Sequence, residues 1–132
     1  MLDSDLKNLS VARLAHANDC LHEAEILFAA NEFKGTANRS YYAAFHAMRA
    51  VLIPDGFDSK KHSGIIAKFR ELYLKTDLFD RSVSDAVSSL FRVRTASDYD
   101  DFYIVSKQDA TQQLEYAKKL LTLITNYLKT KE

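Results

Sequence analysis

The sequence predicts an all-α protein, an antiparallel up-and-down bundle of about five helices. Three observations carry that prediction. Apolar residues recur at three- and four-residue spacing through most of the chain, the period of one helix face. Chain-breaking residues are scarce: one proline, Pro54, and three glycines, Gly35, Gly56 and Gly64, in 132 residues. No stretch alternates apolar and polar residues over a strand length.

The first helix is expected over Ser4–Ala30, capped by Ser4 or Asp3, with Leu14, Ala17, Leu21, Ala24 and Phe28 as its apolar stripe. A short turn over Asn31–Gly35 leads to a second helix, Thr36–Ile53, whose stripe is Tyr41, Phe45, Met48 and Leu52. Pro54, Asp55 and Gly56 end it, because proline disfavours helix in the residue before it. A shorter third helix is expected over Lys61–Leu74, with Ile65, Phe69 and Leu72 inward. The fourth, Ser82–Ser97, opens on Ser82 with Asp85 three residues on, the spacing of a capping box, and turns Val83, Val87, Leu90 and Phe91 inward. The fifth opens on Ser106 with Asp109, a second box, and carries Ala110, Leu114, Ala117, Leu121, Ile124 and Leu128. A second apolar row on it, Tyr116, Leu120, Leu123 and Tyr127, marks either a central position or a dimer contact.

The length suits one domain with one core, residues 1–132. The chain is 47% hydrophobic and 27% charged, which argues against disorder. Its formal net charge is +0, so any anion site must come from local clustering. The opening MLDSDLKNLS is too polar for a signal peptide, and no apolar run approaches a bilayer span. No membrane association and a reducing, cytoplasmic setting are the expectation. Cys20 has no partner for an internal disulfide. His16 and Cys20 stand at i and i+4, a chelating spacing, but no third ligand is evident, so no metal and no cofactor are expected.

The densest chemistry lies in FRVRTASDYDDF, residues 91–102. Arg92 and Arg94 are followed by Asp98, Tyr99, Asp100 and Asp101. One reading is a clasp, with both arginines paired to the aspartates at a helix end, where cations also meet the helix dipole favourably. The other is a site: arginine matches phosphate with a planar fork and stays charged. Asp98 is a candidate base there, while tyrosine, with a pKa of about 10, donates hydrogen bonds or stacks on bases more readily than it accepts protons. A second polar row runs along the second helix: Asn38, Tyr42, His46 and Arg49 share a face, a candidate RNA- or nucleotide-binding surface together with Arg92. There His46 is either a substitute proton carrier or a half-buried boundary residue. His62 is read as a local cap contact.

Three segments together, NRSYYAAFHAMRAVL (38–52), KKHSGIIAKF (60–69) and the R-x-R-x3-D-Y-D-D-F run, resemble the HEPN family (higher eukaryotes and prokaryotes nucleotide-binding), in its small stand-alone prokaryotic branch. The resemblance covers residues 8–130. It implies a helical bundle that forms a homodimer and is paired with a minimal nucleotidyltransferase in a toxin–antitoxin-like system. It further implies binding of RNA or nucleotide and a metal-independent endoribonuclease, in which an arginine is followed four to six residues later by a histidine at the dimer cleft. Arg94 matches that arginine, and Tyr99 stands where the histidine is expected. The alternative is a non-catalytic interaction module in which the Arg/Asp cluster is a clasp.

Overall fold

The computed structural model describes residues 4–131, and every regular element among them is helical. The elements are α1 (Ser4–Ala29), α2 (Phe33–Leu52), α3 (His62–Phe69), α4 (Ser82–Tyr99) and α5 (Lys107–Lys129), with a π-helical turn, Arg70–Leu74, continuing α3. The bundle of five helices matches the fold class that the apolar period predicts. Asp3, one of the two expected caps of α1, lies outside the described residues.

The boundaries differ from expectation where local hydrogen bonding overrides the apolar pattern. The turn expected over Asn31–Gly35 is tighter. Glu32 N–H donates to Leu27 O (2.8 Å) and Asn31 N–H to Phe28 O (3.0 Å), with Asn31 at φ 62°. That is a Schellman closure, and asparagine tolerates the left-handed conformation it needs. Gly35 therefore falls inside α2, where a Cβ would lie 3.0 Å from Leu27 Cδ1. At α4 the expected capping box is absent. Ser82 is already helical; its hydroxyl donates to Asp80 Oδ2 (2.7 Å) and accepts from Lys119 Nζ (2.8 Å). At α5 the box is present: Ser106 Oγ accepts from Asp109 N–H (3.0 Å), and Asp109 Oδ2 from Ser106 N–H (3.2 Å).

α2 is the axis, and α1, α3, α4 and α5 all pack against it. Its alanines Ala37, Ala43, Ala44, Ala47 and Ala50 are at most 1% exposed. α1 answers with buried Ser10, Ala17, Cys20 and Ala24, while Leu14, Leu21 and Phe28 flank that strip part-buried. Small residues let two helices approach closely. Ser10 Oγ donates to Ala50 O (2.8 Å) across that seam.

The second row of α5 belongs to the core. Leu120 is buried, and Tyr116, Leu123 and Tyr127 pack against the same cluster. Tyr127 meets Tyr73 and Phe79 edge-on at 5.4 and 5.6 Å. The π-helical turn sets Tyr73 so that its hydroxyl donates to Asp55, with Val51 O a further 3.3 Å acceptor contact, tying the end of α3 to the turn after α2.

Because Ala47 is fully buried, Ala47→Leu is expected to destabilise the protein by about 1–3 kcal/mol through overpacking, although leucine is a good helix former. Urea unfolding at neutral pH checks this.

Candidate functional site

Arg94 projects from α4 onto α2. Its guanidinium carbon lies 5.2 Å from the Tyr41 ring centroid and 5.5 Å from that of Tyr42. Arg94 Nη2 donates to the Tyr42 hydroxyl at 3.1 Å. Nε is 2.9 Å from Asp98 Oδ2, an ion pair by distance. Its N–H is not aligned with the carboxylate, so Nε makes no hydrogen bond. Only 16% of the Arg94 side chain is exposed. Two tyrosine faces therefore hold a partly desolvated cation, a contact worth about 0.5–2 kcal/mol per ring.

Tyr41 links Arg94 to His62. The Tyr41 hydroxyl and His62 Nδ1 are 2.8 Å apart. Burial pushes the Tyr41 pKa up to about 12 against the pull of Arg94, so the hydroxyl keeps its proton. It either donates to Nδ1 or accepts from it, which leaves His62 Nε2 as donor or acceptor accordingly. The His62 ring, at the first residue of α3, stacks on Phe45 at 4.1 Å. Burial, then Arg94 and Arg49, lower its pKa. The local cap expected of His62 is not made, because the ring turns inward onto Tyr41 and Phe45.

The polar row of α2 lies along the same side. Asn38 Oδ1 accepts from Arg39 Nε (3.0 Å) and Nη2 (2.7 Å). Arg39 in turn lies 5.0 Å over the Tyr42 ring and 3.7 Å from Glu23. Arg13 forks onto Asp58 at 2.7 and 2.9 Å, and Arg49 reaches the same carboxylate at 3.5 Å. The Arg13 hydrogen bonds hold the Asp58 carboxyl below its ordinary range. His46 turns toward α1 and stacks on His16, ring centroids 4.0 Å apart. Burial, then His16, Arg49, Arg13 and Arg39, push its pKa down to about 4. Arg13, Arg39, Arg49 and Arg94 thus converge on one aromatic–histidine patch of a chain with formal net charge +0.

The run at the end of α4 is less knotted than its composition implies. Among the described residues Arg92 forms no ion pair, and Arg94–Asp98 is the pairing within the run. Asp100 Oδ1 accepts from Phe102 N–H (2.9 Å), closing the turn after α4. Tyr99, the last residue of α4, is 76% exposed, and Phe102 (92%) and Ile104 (84%) in the segment after the helix are exposed as well. Arg94 and Tyr99 are therefore not joined within one chain. Beside Arg94 stand Asp98, Tyr41 and Tyr42, with His62 reached through Tyr41. Tyr41 reads as core from its period, and His62 stands 32 positions before Arg94, too far for any spacing rule.

An all-α bundle carrying an arginine–tyrosine–histidine patch is the class these observations define. A family model described as HEPN domain matches residues 11–127, and the chain belongs to that family. It is 27% identical to a "UPF0332 protein" of Thermotoga maritima, over 82% of each chain. It is 33% identical to a "UPF0332 protein" of Archaeoglobus fulgidus, over 80% of this chain and 84% of the relative. It is 26% identical to the "Putative toxin MJ0142" of Methanocaldococcus jannaschii, over 87% of this chain and 78% of the relative. No described helix is long and apolar enough to cross a membrane.

The His46 environment sets a pH dependence. Its folded pKa of about 4 lies below the ordinary 6.5, so its contribution to stability is present above about 6.5 and is lost as pH falls toward 4. His62 acts in the same direction. His46→Gln is therefore expected to narrow the difference in urea midpoint between about pH 7 and about pH 4.5. Parallel denaturation curves of the two proteins at both pH values measure it.

Proposed function

We propose that this HEPN-family protein binds RNA or nucleotide phosphate at Arg94 and acts as a toxin-like component paired with a nucleotidyltransferase. The observation that carries the reading is Arg94 held over the Tyr41 and Tyr42 rings, with His62 bonded to Tyr41. A phosphate oxygen would take the guanidinium in exchange for Asp98, its partner one helical turn along α4. The family's name and the toxin designation of some relatives point the same way.

The enzymatic extension is metal-independent cleavage of RNA. It needs a proton carrier and a cation for the phosphorane. His62 fits the first role better than Tyr99 or Asp98, since its Nε2 serves as donor or acceptor while Tyr41 takes the complementary part at Nδ1. Arg94 serves the second. Arg94→Ala is expected to weaken RNA binding about tenfold or more, in line with loss of a charge-assisted contact of ~1.5–3 kcal/mol. His62→Ala is expected to spare binding and lower cleavage about 10²–10⁴-fold. Filter binding and gel assays on the same RNA separate the two effects. RNA left intact by the wild-type protein sinks the enzymatic extension, and unchanged RNA affinity of Arg94→Ala sinks the binding site.

The protein is further proposed to be a homodimer, with Tyr99, Phe102 and Ile104 at the seam. Large exposed apolar side chains this close together in sequence present surface that association would bury. Phe102→Asp is expected to convert the dimer to monomer in light scattering, and a wild-type protein that is monomeric at every concentration refutes the seam.

A further inference from the structure

A second cluster lies on the α1 side of α2. His16 and Cys20 are one helical turn apart on α1, and His46 of α2 faces them. One nitrogen of each imidazole and Cys20 Sγ all lie within 4.8 Å of one another. Cys20 is a free, buried thiol, His46 is half-buried and His16 is exposed. The two imidazoles are stacked 21° from parallel. His46 Nδ1 is buried and has no hydrogen-bond partner among the described residues. An imidazole nitrogen sealed in this way costs stability unless something fills its lone pair or takes its proton. Neither His16 nor Cys20 bonds to Arg94, Tyr41, Tyr42 or His62, although His46 stands on the α2 row beside Tyr42.

We propose that His16, Cys20 and His46 form a binding site for a thiophilic divalent cation of the Zn²⁺ class. One sulfur and two imidazole nitrogens are the donor set such ions prefer, whereas Mg²⁺ and Ca²⁺ require oxygen. Three protein ligands leave the fourth tetrahedral position for water, on the side where His16 is exposed. Metal bonds of ~2.0–2.3 Å at tetrahedral angles place ligand atoms about 3.3–3.8 Å apart. The cluster must therefore close by about 1 Å, and a rotamer change of the exposed His16 unstacks it from His46 and supplies that movement.

The exchange balances simply. The Cys20 S–H bond breaks, a sulfur–metal bond forms, and the proton passes to solvent. The thiolate then offsets one charge of the ion. Arg13, Arg39 and Arg49 stand nearby, but Asp58 and Glu23 already pair with them. A bound ion would tie α1 to α2 at mid-height and raise the melting temperature with metal concentration. The proposal does not depend on the RNA reading, since neither His16 nor Cys20 belongs to that site.

The test uses the purified full-length chain, stripped with a chelator and titrated with Co²⁺ and then Zn²⁺. One ion per chain is expected, with the visible absorption of tetrahedral Co²⁺, a thiolate-to-metal charge-transfer band, and bleaching of both by Zn²⁺. Cys20→Ser should abolish the charge-transfer band. His16→Ala, at an exposed position that the fold does not need, should weaken binding at least as much as loss of an outer-shell partner does, about 10–100-fold. Circular dichroism confirms that both variants remain helical. Absence of the Co²⁺ spectrum in the wild type, or binding unchanged in both variants, overturns the proposal.

Discussion

Burial of α2 against all four other α-helices is the constraint on which the rest of the structure depends. A helix with neighbours on nearly every side has little room for large side chains at closest approach. Its alanines, and the small residues of α1 opposite, follow from that. The same confinement acts on its polar residues. Asn38, Tyr42, His46 and Arg49 emerge at seams between helices, where packing and a few hydrogen bonds hold them. A site built on such a helix is pre-organised by the core itself.

The electrostatics of the patch are local. Four arginines meet on one side of a chain whose charges otherwise cancel. Each is answered by one carboxylate, Asp58 serving two of them, and Arg39, Arg49 and Arg94 also lie over aromatic rings. Ring faces stabilise a cation without neutralising it. His46 and His62 are shifted the same way, both lowered chiefly by burial, but their contacts differ: His46 stacks on His16, whereas His62 keeps a polar partner in Tyr41.

Much of the fold was legible along the chain. The apolar period located five helices, and the Ser106–Asp109 spacing located a cap that is present. Where legibility failed, a competing local interaction won. Ser82 found Asp80 and Lys119 in place of its own helix end, and Asn31 closed a turn tight enough to put Gly35 inside α2. At the site, the arginine of the α4 run and the polar row of α2 were both visible as candidates. Their meeting was not, because Arg94 and Tyr42 are 52 positions apart.

The sequence by itself determined the helical class and the family and marked Arg94 as a candidate, because these depend on residue types at short, fixed spacings. Only the tertiary structure decided what surrounds them. It put His62 beside Arg94 through Tyr41, left Tyr99 in solvent, and brought His46 to the His16–Cys20 pair. The physical reason is the same in each case. Helix period dictates which face a side chain occupies, but the angle and depth at which two helices pack dictate which faces meet, and that is settled by the whole core at once.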